Sequence, residues 1–184
     1  MTGPTRDAIL DATLRVAGEV GLARLSMEEV ASAAGVSRQT VYRYFESRQV
    51  LIERAILREE AVFIEAMMAA ASAHDELDEA LAASVRTSLE LADDHPLLQR
   101  LLAEDPETLL PFLLGGRGPV ISAAEPVVRE LLTSRRPDIP ADRAHLAAEV
   151  ATRLLLSFLV SRPEMDLEVL AREVGRLVAG YVDA

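Results

Sequence analysis

The sequence predicts an all-α protein. Ala, Leu, Glu and Arg dominate its 184 residues, and all four are strong helix formers. No segment combines β-branched residues with a sustained two-residue alternation, which is the pattern of a strand. Glycines and prolines cut the chain into about nine to ten helical segments. We therefore expect an N-terminal unit of three helices followed by a larger helical body.

The first helix is predicted over about 5–20. Its apolar residues recur at helical spacing, with Ile9, Thr13 and Val16 on one stripe. Gly21 follows and is expected to end the helix, because glycine adopts the left-handed conformation of a C-terminal cap without strain. The apolar stripe provides this helix with one side for burial.

Two short helices, 27–34 and 38–44, follow with only three residues between them. Ser26 opens the first as an N-cap, and the glutamate three residues later completes a capping box. Gly35 permits a left-handed turn, and Ser37 caps the second helix. Two short helices joined by Gly-Val-Ser are the sequence form of a helix-turn-helix.

Caps and breakers also delimit the helices of the body. Ser47 opens a long helix that neither glycine nor proline interrupts. Prolines punctuate a region of short helices, and Pro119 suits the first turn of the helix after it. The predicted body segments are 48–72, 75–94, short helices within 96–114, 119–135, 141–161 and 166–182.

Composition excludes several classes of function. The absence of cysteine excludes disulfides, thiolate metal sites and cysteine nucleophiles. All 19 basic residues are arginine, so no lysine is present for a P-loop or a Schiff base. Acidic residues interrupt the N-terminal apolar pattern, and no apolar run approaches the ~20 residues that span a bilayer. We expect a cytoplasmic protein without a signal peptide or a membrane partner.

Charge is divided unevenly between the two predicted domains, 1–50 and 51–184. The first contains six arginines and six acidic residues. The second contains thirteen arginines against 24 acidic residues, which accounts for the whole formal net charge of −11. An acidic body repels polyanions, so any contact with nucleic acid must come from a local patch in the first domain.

Residues 38–44 form the candidate patch. At about 100° per residue, Val41, Tyr44 and Phe45 share one side, which we expect to pack on the first two helices. The opposite side carries donors suited to phosphates and to base edges in a major groove, and these are Arg38, Gln39, Tyr42 and Arg43. An ordinary solvated face is the alternative, but the Gly-Val-Ser turn and the successive N-caps favour DNA.

Helix N-termini extend the patch. Ser26 and Arg48 begin the flanking helices, so their backbone amides are expected to point toward the same surface, and helix N-termini bind phosphate. The predicted partner is double-stranded operator DNA. The predicted DNA-binding residues are Ser26, Ser37, Arg38, Gln39, Thr40, Tyr42, Arg43 and Arg48.

The stretch LSMEEVASAAGVSRQTVYRYFESRQVL, residues 25–51, resembles the DNA-binding domain of TetR-type transcriptional regulators. The signature Gly-Val-Ser-x-x-Thr-Val-Tyr-x-Tyr-Phe is matched at Gly35, Val36, Ser37, Thr40, Val41, Tyr42, Tyr44 and Phe45. The family usually has lysine where this chain has Arg48, which keeps the charge. The resemblance implies that the body forms a homodimer and binds a small molecule that releases the DNA.

A two-fold interface is predicted in the body. The segment 141–161 is apolar around most of its circumference, so burial on two sides is expected. One side can face its own core, and the other, with 119–135, suits the same helix pair of a second copy. The alternative is an internal helix in a monomer. The predicted interface residues are Val120, Val127, Val128, Leu131, Ala147, Ala151, Leu154 and Leu155.

A site for a small, mostly apolar effector is expected among the body helices. Apolar and methionine side chains would form adaptable walls, and arginines would hold a polar group. The predicted residues are Phe63, Met67, Met68, Arg86, Leu89, Leu98, Phe112, Arg117, Arg153, Leu155 and Phe158. Control by a partner protein in place of a ligand is the alternative. The helix 48–72, roughly 37 Å long at ~1.5 Å per residue, is expected to link this site to the DNA-binding helices.

No catalytic, metal or cofactor site is predicted. His74 and Asp78 are one helical turn apart, as are His145 and Glu149, but each pair lacks a third nearby ligand. The glycine-rich stretch 115–118 has no preceding strand and no following lysine, unlike a phosphate-binding loop. No serine lies in a motif with histidine and aspartate partners. A regulator is therefore expected, not an enzyme.

Overall fold

The computed structural model describes residues 4–115 and 118–184, and all regular secondary structure in these residues is helical. This confirms the all-α class and the expected number of helices. The ten helices are α1 Pro4–Val20, α2 Met27–Ala33, α3 Arg38–Tyr44, α4 Arg48–Ser72, α5 Leu77–Asp93, α6 Pro96–Glu104, α7 Pro106–Leu114, α8 Pro119–Arg135, α9 Ala141–Val160 and α10 Leu167–Asp183.

The chain forms two compact units, and each unit is built from two separate segments of the sequence. The first unit runs to Glu59 and also includes His95–Phe112, and the second contains Glu60–Asp94 and Leu113–Ala184. The predicted division after residue 50 follows chain order, whereas in the structure α6 and most of α7 belong to the first unit. Helix α4 contributes residues to both units.

Contacts between distant segments explain why α6 belongs to the first unit. The backbone N–H of Ala23 donates to the Asp105 carboxylate at 2.7 Å, and Arg100 donates to the carbonyl of Glu19 at 3.4 Å. Helix α6 thereby packs on the end of α1, while α1 also packs on α2 and α2 on α3. The buried side of α1 includes Ile9 and Leu10, as its helical periodicity predicts.

Close packing of α5 and α10 organises the second unit. A Cβ atom at Gly175 would lie 2.4 Å from the carbonyl oxygen of Asp78 and 2.9 Å from the nitrogen of Ala82. Only glycine allows the two backbones to approach this closely. We call the principal group of buried residues here the main core cluster: Met67, Ala71, Leu77, Ala80, Leu81, Val128, Leu131, Leu132, Ala147, Ala148, Val178, Ala179 and Val182.

A smaller group of buried residues lies in the same unit. This second core cluster comprises Val85, Leu89, Leu170, Ala171 and Val174, with Leu155, Phe158, Leu159 and Leu167 packed against it.

Arg135 donates to the carbonyls of Ala71 and His74 at 2.7 and 2.8 Å, which connects the end of α4 to α8. Within the described residues, no helix combines the length and apolarity that crossing a bilayer requires.

Replacing Gly175 with alanine should destabilise the second unit by about 1–3 kcal/mol, because the new methyl group meets backbone atoms that cannot rotate away. Gly180→Ala is the matched control on the same helix, since no atom of the described residues outside the adjacent helix backbone lies within 4 Å of its Cβ position. That change should leave stability unchanged or raise it by up to about 1 kcal/mol. Urea unfolding followed by circular dichroism measures both, and equal stabilities of the two variants would contradict the close approach.

Candidate nucleic-acid interface

A reciprocal cap starts α2. The Glu29 N–H donates to Ser26 Oγ at 3.2 Å, and the Glu29 carboxylate accepts from the Ser26 N–H at 3.0 Å. This arrangement confirms the capping box expected from sequence. It also engages the Ser26 hydroxyl, which donates to the same carboxylate at 2.7 Å. The face of α2 that contains Met27 and Val30 is buried.

A left-handed residue forms the turn into α3. Gly35 has φ +67°, and the next N–H, of Val36, donates to the carbonyl of Ala31 at 3.0 Å. Among the described residues, apart from the two chain neighbours, no atom lies within 4 Å of a Cβ position at Gly35. The left-handed backbone conformation, and not a lack of space, therefore favours glycine there. Ser37 then caps α3 by accepting from the Thr40 N–H at 3.1 Å, and the two hydroxyls lie 2.9 Å apart. The helix-turn-helix geometry is thus built from local hydrogen bonds.

The two sides of α3 differ in burial. Val41 and Phe45 are 0% and 2% exposed and belong to the core of the first unit. The opposite side, with Arg38, Gln39, Tyr42 and Arg43, is exposed as predicted. Tyr44 differs from the expectation, since it is 39% exposed and does not share the burial of Val41. We call the surface formed by Arg38, Gln39, Tyr42 and Arg43 the recognition face.

Two arginine side chains of this region pack over tyrosine rings. The guanidinium of Arg38 lies 5.5 Å from the centre of the Tyr42 ring, and that of Arg43 lies 5.5 Å from the centre of the Tyr44 ring. Arg38 also lies 3.5 Å from the Tyr42 hydroxyl oxygen, and this hydrogen bond raises the pKa of Arg38. The exposed ring of Tyr44 thus packs against the guanidinium of Arg43. Helix α3 contains no acidic residue, so its face is positively charged.

Arg48 requires a correction. Its Nε donates to the carbonyl of Leu25 at 2.6 Å, and Nη2 donates to the carbonyls of Ala23, at 2.8 Å, and Leu22. These bonds direct Nε and Nη2 to the segment between α1 and α2, which opposes a phosphate contact by the guanidinium. The expected phosphate contact through the backbone amide at the start of α4 stays a prediction. Sequence reasoning recognised the charge at the start of α4, but the acceptors lie more than 20 positions away and leave no local signal.

The predicted effector residues fall into several groups. Met67 and Met68 lie at the main core cluster, while Leu89, Leu155 and Phe158 lie at the second core cluster. Phe63 is half-buried in the second unit, whereas Leu98 and Phe112 belong to the first unit. Arg117 lies outside the described residues.

The arginines predicted to hold a polar effector group are engaged at the surface. Arg86 lies 3.5 Å from Glu90 and 3.4 Å from Glu168, and Arg153 donates to Glu149 at 2.6 Å. Both arginine side chains are substantially exposed. This placement opposes the predicted role for Arg86 and Arg153, because an enclosed ligand needs a donor that points into the protein.

The predicted dimer residues divide equally between buried and half-buried positions of their own chain. Val128, Leu131 and Ala147 belong to the main core cluster, Val127 and Ala151 pack against it, Val120 is buried, and Leu154 and Leu155 are half-buried. A side chain already buried in its own chain leaves little surface for a partner, which opposes the four buried members of the set, while the half-buried members stay a prediction. The exposed apolar side chains of α9 are Leu146, at 50%, and Val150, at 43%.

Glu60 is a polar residue that sequence reasoning missed. Among the described residues, no hydrogen-bond partner reaches either of its carboxyl oxygens, and both oxygens are shielded from solvent. Helical spacing could have predicted its inward position, because Glu60 falls on the stripe of α4 that also contains Ile64, Met67 and Ala71. Within the described residues, no group of three or more histidine, aspartate or glutamate side chains is placed to hold a metal ion.

Family models match both parts of the chain. One described as "Bacterial regulatory proteins, tetR family" matches residues 9–55, and one described as "Bacterial Tetracyclin repressor, C-terminal domain" matches 76–182. An uncharacterized HTH-type transcriptional regulator of Mycobacterium tuberculosis strain H37Rv is 34% identical over 156 residues, covering 82% of this chain and 74% of that protein. The regulator AlkX of the same strain is 27% identical over 180 residues, covering 97% and 85%.

Crystal structures of related proteins share the fold. The TetR family repressor AlkX from Dietzia sp. strain DQ12-45-1b, implicated in biodegradation of n-alkanes, matches with a TM-score of 0.77 and 29% identity, covering 98% of this chain and 96% of that one. The regulator FadR from Bacillus subtilis, in complex with stearoyl-CoA, matches with a TM-score of 0.62 and 20% identity, covering 96% and 98%. At 20% identity, FadR shows likeness of fold alone.

Arg48→Ala should lower the free energy of unfolding by about 1–3 kcal/mol, because three carbonyls lose a charged donor. Arg43→Ala, which changes an exposed arginine, should stay within about 0.5 kcal/mol of the wild type. Urea unfolding measures both effects. If Arg48→Ala kept full stability and only weakened DNA binding, the predicted phosphate contact would be correct after all.

Proposed function

This chain belongs to the TetR family of bacterial transcriptional regulators, and we propose that it is a repressor that a small, mostly apolar molecule releases from operator DNA. The chain is a DNA-binding transcriptional regulator, as its family and its helix-turn-helix establish. The proposed activity is regulatory and not enzymatic. Its proposed place of action is the cytoplasm, where bacterial DNA is found.

The proposal of DNA binding rests on the recognition face of α3. Its arginines and glutamine present charged and amide donors without a competing carboxylate on the same helix. Arginine donates in pairs to guanine, and glutamine pairs with adenine, so Arg38 and Gln39 are the proposed base contacts. Arg43 and the hydroxyls of Ser37, Thr40 and Tyr42 are the proposed contacts to phosphate, which position the helix without reading sequence.

A homodimer is the proposed DNA-binding form. One short recognition helix contacts only a few base pairs, and a two-fold dimer doubles that number by placing two helices about 34 Å apart, in successive major grooves. Leu146 and Val150 lie four residues apart on the exposed side of α9, so they form one continuous apolar surface. We assign this surface, in place of the buried residues, to the interface with a second copy.

The proposed effector binds in the second unit. The Dietzia AlkX structure supports an apolar ligand, because that repressor is implicated in n-alkane biodegradation. Helix α4 contributes to both units, so a ligand that shifts its second half also shifts its first half, which begins at Arg48. Linkage then requires operator DNA to weaken effector binding by the same factor.

Alanine at Arg38, Gln39 and Arg43 together should abolish specific binding to a duplex selected from random DNA by the wild-type protein. Arg38→Ala or Gln39→Ala alone should cost about 1–3 kcal/mol, since each removes one base contact. Fluorescence anisotropy at one fixed salt concentration measures these affinities. Arg172→Ala, an exposed arginine on α10, is the control and should bind like the wild type. Undiminished binding by the triple variant would exclude the recognition face.

Val150→Glu should convert the dimer to monomers, because an ionised carboxylate in an apolar interface loses its hydration. We expect the dissociation constant of the dimer to rise about 100-fold or more, which corresponds to ~2.7 kcal/mol. Sedimentation velocity measures the change, and circular dichroism checks the fold. Val62→Glu is the control, since Val62 is equally apolar and 57% exposed on α4. A wild-type monomer at micromolar concentration would refute the proposed dimer.

A further inference from the structure

A carboxyl group occupies a core-facing position of α4. Glu60 shares one stripe of the helix with Ile64, Met67 and Ala71, because these residues are spaced four, seven and eleven positions along the helix. Met67 and Ala71 are buried members of the main core cluster. Both carboxyl oxygens of Glu60 are therefore directed away from solvent, whereas Glu65 on the same helix is exposed.

This carboxyl group has no hydrogen-bond donor among the described residues. Both oxygens are shielded from solvent and neither has a partner. The adjacent Glu59 differs, because its carboxylate lies 3.0 Å from His95 Nε2. Burial raises the pKa of the Glu60 carboxyl to about 8, since the charged form loses its hydration without gaining a cation. An apolar residue at this position would be more stable, so the glutamate indicates a binding role.

The chemistry of the site selects among ligand classes. An ammonium group carries several N–H donors and a positive charge, so it satisfies both oxygens and compensates the buried carboxylate. A hydroxyl group donates only one hydrogen bond. A ligand carboxylate would bring a second acid to the site and no cation to compensate the buried carboxyl, and Arg86 and Arg153 are already paired with glutamates at the surface. The net charge of −11 in residues 51–184 also attracts cations.

We propose that Glu60 binds the charged end of the effector, and that the effector class is an aliphatic molecule with one primary or secondary ammonium group. This inference rests on the proposed function, because it specifies the ligand of the same body. The aliphatic part packs against the apolar side chains around Met67, while the ammonium group donates to the two Glu60 oxygens. Glu60 thus determines specificity for the polar end of the ligand.

Isothermal titration calorimetry of the full chain with n-octylammonium, 1-octanol and octanoate tests this assignment. The three probes share one chain length and differ only in the polar end. The wild type should bind n-octylammonium more tightly than 1-octanol and should bind octanoate least. Glu60→Gln should weaken n-octylammonium binding at least tenfold and leave 1-octanol binding within about threefold, because only the ionic contact is lost.

Two further variants keep the test decisive. Glu65→Gln removes an exposed carboxylate from the same helix and should leave n-octylammonium affinity unchanged. Glu60→Met replaces the carboxyl with an apolar group of similar length, so it provides a folded acid-free variant if Glu60→Gln does not fold. No binding of n-octylammonium to the wild type, equal affinity in the acid-free variant, or tighter binding of octanoate would each overturn the proposal.

Operator binding in the presence of each probe separates this inference from the proposed function. If n-octylammonium binds through Glu60 and leaves operator affinity unchanged, the ligand assignment stands and effector-driven release fails. If 1-octanol releases operator DNA equally from the wild type and Glu60→Gln, effector-driven release stands and the ammonium assignment fails. Release by n-octylammonium from the wild type alone supports both.

Discussion

Burial of Val41 and Phe45 determines which side of α3 faces solvent, and the proposed DNA-binding surface depends on it. A helix of two turns has few ways to orient itself, so two fully buried side chains are enough to direct its opposite side outward. The left-handed turn at Gly35 brings α3 to the position where this burial is possible. Arg38, Gln39 and Tyr42 are therefore exposed because Val41 and Phe45, on the opposite side, are buried.

Stabilising and recognising roles are divided among the arginines of the first unit. Arg48 donates to three backbone carbonyls and joins the start of α4 to the segment before α2. Arg38 and Arg43 instead lie over exposed tyrosine rings, where the charge stays accessible to a polyanion. A protein with a net charge of −11 can bind DNA in this way, because only the local field at α3 must be positive.

The second unit combines very close helix packing with one unsatisfied polar group. Gly175 brings α10 against the backbone of α5, which leaves little room for variation along that contact. Glu60, in contrast, lies on the inward stripe of α4 without a donor. A buried polar group without a partner costs free energy, so the unit is less stable than an apolar side chain there would make it. That cost is consistent with a site whose missing partner is a ligand.

Local signals in the chain were enough for the helices, the caps and the turn. Ser26 with Glu29, Gly35, and Ser37 with Thr40 all act on neighbours within a few positions, so their hydrogen bonds follow from residue type and spacing. Tertiary packing determined the long-range contacts and the burial of individual side chains. The partners of Arg48, the bond from Ala23 to Asp105, and the burial of Val128, Leu131 and Ala147 all involve segments distant in sequence. Periodicity identifies the side of a helix that is buried, but only the folded chain selects the atoms that each buried group meets.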